Sequence, residues 1–243
     1  MKAIVQNRYG SSDVLEFREV DDPVARDDQL LVRVRAASVH ADVWHVMRGV
    51  PYVLRIMGAG VRRPKNLVPG TDLAGHVESV GPRVTRFLPG DEVFGQSLVA
   101  NLWRHGGAFA EYAAVPEGRF EPKPAGLTFE QAAAVPTSGS LAVQGVRDEG
   151  RVRAGQKVLI NGAGGAVGTF AVQLAKAYGA HVTGVDAAAK LDMLGRSART
   201  GSSTTRWRTS PGAASAMTSS SMSRGTIRGR TSGARSLPGG LSS

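Results

Sequence analysis

The sequence predicts an α/β fold with a β-rich part, and three observations support this class. Residues 1–125 hold short alternating apolar runs separated by Gly, Pro and Asp turns. Residues 126–150 show a short helical pattern. Residues 151–194 hold an apolar run, a glycine-rich turn and a longer helical pattern in direct succession, which is the order of a βαβ unit. The remaining residues, 195–243, have neither period.

The β-rich part, residues 1–125, alternates apolar and polar residues with the period of a half-buried strand. Its clearest runs are residues 30–36, 75–80 and 109–115. Nothing in this part suggests a parallel sheet, so short strands joined by turns are expected.

Residues 126–150 are predicted to form a helical connector. Thr128 and Gln131 have the spacing of a capping box, in which each side chain bonds to the backbone N–H of the other residue. A short helix is therefore expected to begin there and to run through Ala134. Pro136 breaks this helix before a second helical stretch that ends near Arg147.

The most informative segment is the βαβ unit. Residues 157–160 are predicted to form a buried parallel strand and residues 162–168 the turn, and helical spacing then relates Phe170, Ala171, Leu174, Ala175 and Tyr178. Small residues let the backbone approach a pyrophosphate, while the first turn of the next helix presents unpaired N–H groups and a positive dipole end. The segment therefore predicts a dinucleotide-binding site and a nicotinamide cofactor.

Cofactor choice depends on the next strand. Gly179 is expected to end the helix, and a strand at residues 181–185 leads to Asp186, where a carboxylate can accept hydrogen bonds from the adenosine ribose. Asp186 slightly favours NAD over NADP, because it would repel a 2′-phosphate, but Lys190 lies one helical turn further on and could offset that repulsion. The predicted cofactor-binding residues are Gly162, Gly165, Ala166, Val167, Gly168, Asp186 and Lys190.

Composition excludes several classes of protein. The chain has no Cys, which rules out disulfides, thiolate zinc sites and a cysteine nucleophile. It also has no apolar run of membrane-spanning length and no signal-peptide pattern, so we expect a cytoplasmic protein without a membrane partner. The net charge of +10 comes mainly from residues 195–243, which hold eight Arg and no Asp or Glu. Nucleic-acid binding is not expected, because Trp207 is the only aromatic residue there.

Two explanations account for residues 195–243. The ordinary one is a disordered basic tail rich in Ser, Arg and Gly. The sharper one is a frameshift near Leu194, because residues 195–211, back-translated and read two nucleotides later, permit a turn, a strand and an acidic loop. Residues 218–222 likewise permit a buried strand. Under the second explanation the parallel sheet is truncated, and the chain would be an inactive remnant that binds dinucleotide weakly. The DNA sequence from about codon 190 onward decides between them.

Three motifs, in this order, resemble the medium-chain dehydrogenase/reductase superfamily: PGTDLAGHVESVG at residues 69–81, PGDEVFG at 89–95 and GGAFAEY at 106–112. Within it, residues 1–194 are similar to the zinc-independent NAD(P)H:quinone oxidoreductases and related enoyl reductases. The resemblance implies a GroES-like β-barrel domain followed by an incomplete Rossmann domain, whose full form is a doubly wound parallel sheet, with the active site in the cleft between them. It also implies a homodimer in intact relatives.

The resemblance also bears on metal binding. Zinc-dependent relatives have a Cys where this chain has His40, and a His-Glu pair where it has Thr71 and Asp72. A thiolate is missing and the imidazole has no paired ligand at useful spacing, so no zinc or other metal is expected. Asp72 has no partner visible in the sequence and is interpreted as structural.

Without a metal, the easier reaction is hydride transfer to a quinone or an α,β-unsaturated carbonyl, a small-molecule substrate. Tyr52 lies near the position of a pocket tyrosine in such reductases and could donate a proton or hydrogen-bond the carbonyl, with bulk water as a rival donor. His40 stands where relatives carry an Asn near the nicotinamide, and either orients the ring or the substrate as a catalytic residue or is a structural histidine. Trp44 and His45 share its segment, and Trp44 is a candidate wall of the substrate pocket or a core residue.

Overall fold

The computed structural model describes residues 1–97, 107–190 and 206–209. The chain divides into two compact units, Met1–Ser140 and Leu141–Ser243. The expected helical connector at residues 126–150 is therefore shared between the units. No helix in the described part of the chain combines the length and the apolar character needed to cross a membrane.

The first unit is rich in β-structure. In chain order its elements are β1 (Lys2–Gln6), β2 (Leu15–Glu19), β3 (Gln29–Ala37), α1 (Ala41–Arg48), β4 (Asp72–Val80), β5 (Glu92–Gln96), β6 (Tyr112–Pro116), β7 (Phe120–Pro122) and α2 (Phe129–Ala133). A π-helical stretch, Arg55–Ala59, follows α1. The helix α3 (Pro136–Val143) comes next in the chain.

The strands of this unit form two antiparallel sheets. One pairs β1 with β2, and the other has the order β6-β3-β4-β5-β7. Alternate residues of the larger sheet point to one side, where they form a buried cluster with residues from its loops: Leu30, Val32, Leu73, Val77, Phe87, Val93, Ala108, Ala113, Val115 and Phe120. The predicted β-rich part is confirmed, and two of its predicted runs lie within β3 and β4.

The capping box predicted before α2 is present. The hydroxyl of Thr128 accepts from the backbone N–H of Gln131 at 3.2 Å, and the Gln131 side chain accepts from the N–H of Thr128 at 3.0 Å. Pro136 is the first residue of α3, where its missing N–H leaves no helical hydrogen bond unmade. A π-helical stretch, Gln144–Glu149, extends the chain beyond α3.

The second unit contains β8 (Lys157–Asn161), α4 (Ala166–Ala177), β9 (His181–Asp186) and β10 (Arg206–Thr209). The strands form a parallel sheet in the order β10-β9-β8. The helix packs on one face of the sheet, in a buried cluster that comprises Ala142, Val146, Val152, Val158, Ile160, Ala163, Ala171, Val172, Ala175, Ala180 and Val182. The predicted order of strand, turn, helix and strand is thus confirmed.

Two details of this unit differ from expectation. In β8 only Val158 and Ile160 are buried, whereas Leu159 is 44% exposed. A parallel strand is buried on both sides only where both faces of its sheet are covered, and in the described residues α4 covers one of them. Helical spacing was expected to include Tyr178, but α4 ends at Ala177, and Tyr178 is its C-cap residue with 37% exposure.

The strand β10 was not expected, since residues 195–243 show no strand period. Arg206–Thr209 nevertheless pairs in parallel with β9, from Arg206 opposite Thr183 to Thr209 opposite Asp186. The ladder uses backbone N–H and C=O groups, so a polar segment can form an edge strand without an apolar face. The rest of that segment, with Leu194 and the proposed frameshift, lies outside the described residues.

Candidate functional site

The predicted nucleotide-binding turn connects β8 to α4, and two of its glycines have specific backbone requirements. Gly162 has a φ of +78°, a conformation that other residues rarely adopt. A Cβ on Gly168 would lie 2.1 Å from the carbonyl oxygen of Gly162 and 2.8 Å from the Cα of Ala163. Glycine at position 168 therefore lets the first turn of α4 pack directly on the loop.

Several amides of this turn are used by the protein itself. The N–H of Gly162 donates to the carbonyl of Val185 in β9 at 2.8 Å. The N–H of Gly164 donates to a carboxylate oxygen of Asp186 at 2.8 Å, and the N–H of Gly165 donates to the carbonyl of Gly162 at 2.9 Å. Gly162 and Gly165, both predicted to bind cofactor, thus shape the turn with their amides.

The amides at the start of α4 differ. No hydrogen bond among the described residues uses the N–H of Ala166, Val167 or Gly168, the first three residues of this helix. Such first-turn amides lack intrahelical acceptors, and the helix dipole adds partial positive charge at the same end. The turn and these amides fit a phosphate group, because the glycines allow close approach and the N–H groups are available to donate.

Asp186, the last residue of β9, holds this turn. It is buried, and its Oδ2 accepts from the N–H of Gly164 while its Oδ1 accepts from the N–H of Ala187 at 2.7 Å. Lys190 lies outside, 54% exposed, with its Nζ 3.8 Å from Oδ1 of Asp186. Carboxylate oxygens accept more than one hydrogen bond, so a ribose hydroxyl could still bind. The sequence indicated the position of Asp186 but not its bond to the turn.

In the first unit, His40 is the N-cap residue of α1, and its side chain is only 8% exposed. Its Nε2 lies 2.6 Å from the hydroxyl of Thr71 and 3.6 Å from Oδ1 of Asp72. Its Nδ1 lies 3.9 Å from a carboxylate oxygen of Asp42. The histidine that the sequence predicted for the site therefore has one carboxylate within 4 Å of each ring nitrogen.

Asp72, the first residue of β4, is 1% exposed and was interpreted as structural because the sequence shows no partner for it. The structure supplies partners, since its Oδ1 accepts from the hydroxyls of Thr71 at 3.0 Å and of Thr137 at 2.7 Å. Its Oδ2 accepts from the N–H of Thr137 at 2.7 Å, and Gln96 donates to the Thr137 hydroxyl at 2.9 Å. Thr137 lies 65 residues away in the chain, so local pattern could not reveal it.

The hydrogen bonds assign the proton on His40. Because the hydroxyl hydrogen of Thr71 is donated to Asp72, the Thr71 oxygen accepts from Nε2–H of His40, and Nδ1 is left as the nitrogen free to exchange a proton. Burial acts to lower the pKa of His40, but the nearby carboxylate of Asp72, together with that of Asp42, outweighs it and raises this pKa. Burial acts to raise the pKa of Asp72, but His40 and Thr137 outweigh it and lower that pKa.

Tyr52 and Trp44 lie on the surface. Tyr52 is 69% exposed, and the guanidinium of Arg55 lies 4.7 Å from its ring centroid. Trp44 is 40% exposed, packs edge-on against His45 at 4.9 Å and lies under Arg48 at 5.1 Å. No hydrogen bond or ring contact between described residues joins Tyr52 or Trp44 to His40. His45, with Nδ1 2.9 Å from the carbonyl oxygen of Val50, has a structural role.

In the first unit, the described side chains around His40 do not form a set of zinc ligands. Three protein ligands are the usual minimum, and among the residues that the structure describes no group of three or more His, Asp or Glu side chains could hold a metal. Nε2 of His40, which would have to offer a lone pair, instead donates to Thr71. The arrangement is suited to proton exchange through Nδ1 of His40.

Comparison with known protein families gives one match in the first unit. Residues 26–125 match the family described as alcohol dehydrogenase GroES-like domain. This range includes α1 and the strands of the larger sheet, β3 to β7. It also includes His40, Thr71, Asp72 and Gln96, whereas Thr137 lies beyond it.

Whole-chain comparisons extend the likeness into the second unit. The chain is 34% identical over 200 residues to a chloroplastic quinone-oxidoreductase homolog of Spinacia oleracea, which covers 80% of this chain and 58% of that protein. The solved quinone oxidoreductase of Coxiella burnetii is 30% identical with a TM-score of 0.71, covering 81% and 59%. A solved NAD-dependent alcohol dehydrogenase is 31% identical with a TM-score of 0.72, covering 86% and 63%. The chain thus spans less than two thirds of each of these three relatives.

Proposed function

The chain belongs to the medium-chain dehydrogenase/reductase superfamily as a quinone-oxidoreductase-like member, and from this premise we propose that it is a zinc-independent NAD(P)H-dependent reductase. Its substrate would be a quinone or an α,β-unsaturated carbonyl. The single observation that carries the proposal is the set of unpaired amides at Ala166, Val167 and Gly168, at the end of a glycine turn that Asp186 holds in place.

The described residues divide the work of cofactor binding. The N–H groups of Ala166, Val167 and Gly168 would hold a phosphate of the dinucleotide. Asp186 would accept from a ribose hydroxyl while it keeps its bond to Gly164. A nicotinamide dinucleotide, when bound, supplies the hydride. We propose NAD as the preferred form because of Asp186, with Lys190 as the group that could admit a 2′-phosphate.

The proton needed by the product oxygen or α-carbon would come from His40 or Tyr52. The raised pKa of His40 extends the pH range in which its imidazole is protonated, and Nδ1 is the nitrogen that can release the proton. Asp72 stabilises the imidazolium and fixes its orientation through Thr71. Tyr52 is the second candidate, because it is exposed and no hydrogen bond in the described residues uses its hydroxyl.

The alternative is an inactive member of the family that does not bind cofactor well. Calorimetric titration of the full 243-residue chain with NADH and with NADPH distinguishes the proposal from this alternative. The proposal expects saturable binding that Gly168→Ala weakens at least about ten-fold, because the added methyl would meet the carbonyl of Gly162. Gly126→Ala is the matched control, since a Cβ there has open space. No saturable binding of either nucleotide would favour the inactive alternative.

The proposal also covers location and partners. The sequence predicts that the protein is cytoplasmic and acts on a small molecule, without a nucleic-acid or membrane partner. A homodimer stays a proposal from the resemblance.

A further inference from the structure

Arg55 lies between two aromatic rings. Its guanidinium carbon is 4.2 Å from the ring centroid of Tyr9 and 4.7 Å from that of Tyr52. A planar cation over a ring face is attracted by the negative charge of the π-system, so Arg55 interacts favourably with both tyrosines at once.

The guanidinium is also anchored to the end of α1. Its Nε donates to the carbonyl of Gly49 at 2.9 Å, and its Nη2 donates to the carbonyl of Arg48 at 3.3 Å. The last carbonyls of a helix have no intrahelical donor and carry the negative end of the dipole, so a cation there is favoured. Gly49 has a φ of +62°, and a Cβ on it would lie 2.5 Å from Nε of Arg55. Only glycine leaves room for this contact.

Tyr9 closes the other side of the arginine. Its hydroxyl donates to the carbonyl of Gly60 at 2.6 Å, so the ring is tied to the residue that follows the π-helical stretch Arg55–Ala59. A Cβ on Gly49 would also lie 2.6 Å from the Tyr9 ring, which shows how closely ring, helix end and guanidinium pack. Arg55 is thus held by Tyr9 and by the carbonyls at the end of α1.

Tyr52 differs from Tyr9 in what holds it. Its backbone carbonyl accepts from the N–H of Arg55 at 3.1 Å, and its ring contacts the Arg55 guanidinium. In the described residues its hydroxyl makes no hydrogen bond, and the side chain is 69% exposed. An exposed ring without other contacts would sample several rotamers, so its position depends on the anchored cation.

We propose that Arg55 is the positioning residue of Tyr52. Anchored on the end of α1 and on Tyr9, it holds the phenol ring and leaves the hydroxyl free for a substrate carbonyl. The inference rests on the proposed function, in which Tyr52 hydrogen-bonds or protonates that carbonyl. Arg55 itself touches neither substrate nor cofactor in this scheme.

The first test needs no activity. In the full chain labelled with 3-fluorotyrosine, the four tyrosines give four ¹⁹F signals, which Tyr→Phe variants assign. Arg55→Met is expected to shift and sharpen the Tyr52 signal toward that of a free side chain and to shift the Tyr9 signal. Arg55→Lys, which keeps the charge, is expected to restore part of the change. Arg48→Met, which removes a cation from Trp44 instead, is the matched control. An unchanged Tyr52 signal in both Arg55 variants would overturn the proposal.

The second test asks whether Arg55 acts through Tyr52. In quinone reduction, Arg55→Met is expected to lower kcat/KM about five-fold in the wild-type background and to change it little in a Tyr52→Phe background. Equal losses in both backgrounds would contradict a positioning role. Absence of activity in the wild-type chain would instead contradict the proposed function, and the ¹⁹F signals would then decide the inference alone.

Discussion

The carboxylate of Asp186 accepts a hydrogen bond from the backbone N–H of Gly164 at 2.8 Å. The residue predicted to select the cofactor therefore also fastens the glycine turn between β8 and α4. Selectivity for the 2′-position and the shape of the phosphate-binding turn depend on the same side chain.

Replacing Asp186 by Ser tests this double role. We expect Asp186→Ser to weaken binding of both NADH and NADPH and to shift their affinity ratio toward NADPH, because the turn loses an anchor and the repulsion of a 2′-phosphate disappears. Unfolding in urea should show a loss of about 2 kcal/mol, typical of a hydrogen bond to a charged group. Lys190→Met, which removes the ion pair but leaves the bond from Gly164 to Asp186, is expected to weaken NADPH binding without this loss of stability. An unchanged affinity ratio would exclude Asp186 as a selector.

Removing the charge of Asp72 should destabilise the first unit. Asp72→Asn keeps the shape of the side chain but takes away the buried anion that His40 and Thr137 face. We expect a loss of about 3 kcal/mol in the free energy of unfolding near pH 6, measured in urea. The pKa of His40 should fall at the same time, because burial is then opposed only by the carboxylate of Asp42. A pKa that stays raised, read from the imidazole NMR signal, would contradict the assigned cause.

The pH dependence of stability follows from opposite pKa shifts. The pKa of Asp72 is lowered, so its contribution is present above the unfolded value of about 3.9 and is lost as pH falls through the folded value. The pKa of His40 is raised, so its contribution is complete below about 6.5 and is lost as pH rises through the folded value. The unfolding temperature of the wild-type chain should thus exceed that of Asp72→Asn by the largest margin between about pH 4 and pH 6.5. A difference in unfolding temperature that stays constant from pH 3 to pH 9 would contradict the opposite pKa shifts of Asp72 and His40.

Thr137→Val separates hydrogen bonding from charge at the same place. The substitution removes the hydroxyl bonds to Asp72 and from Gln96 but keeps the backbone N–H bond to the carboxylate. We expect a loss of about 2 kcal/mol in urea unfolding, smaller than that of Asp72→Asn. Thr85→Val, on the surface, should change stability by less than about 0.5 kcal/mol. A larger loss for Thr137→Val than for Asp72→Asn would mean that the Thr137 hydroxyl contributes more to the free energy of unfolding than the charge of Asp72 does.

The two candidate proton donors predict different kinetics. If His40 donates, the rate of single-turnover quinone reduction falls as pH rises through its raised pKa, and His40→Gln abolishes this dependence and lowers the rate about 100-fold. Tyr52→Phe would then have a smaller effect. If Tyr52→Phe instead lowers the rate more than His40→Gln does, Tyr52 is the donor and His40 orients the site. Equal rates in wild type and both variants would leave bulk water as the proton source.

The sequence predicted features whose parts are close together in the chain. The strand, turn and helix around Gly162 share one segment, and Thr128 and Gln131 are three residues apart, so local spacing identified both. The His40 network brings together residues 40, 71, 72, 96 and 137 from separate elements, and no local period connects them. The sequence therefore did not reveal the hydrogen-bond partners of Asp72.

The strand β10 and the exposed side of β8 show a second limit. Backbone pairing at a sheet edge imposes little on side chains, so Arg206–Thr209 carries no recognisable pattern. Likewise, the apolar run at residues 157–160 does not reveal which faces of the sheet are covered, and Leu159 was expected to be buried. Such features depend on what the rest of the chain places nearby.

The 2.6 Å contact between His40 and Thr71 couples the two residues in their tolerance to substitution. Nε2 of His40 holds a proton where a cation would need a lone pair, and the hydroxyl hydrogen of Thr71 is committed to Asp72. A single replacement at either residue strands a buried partner and costs about 1–3 kcal/mol before any ligand set is complete. Freeing Nε2 of His40 for another partner therefore also requires a new acceptor for its proton, so residues 40, 71 and 72 are expected to tolerate joint replacement better than single replacement.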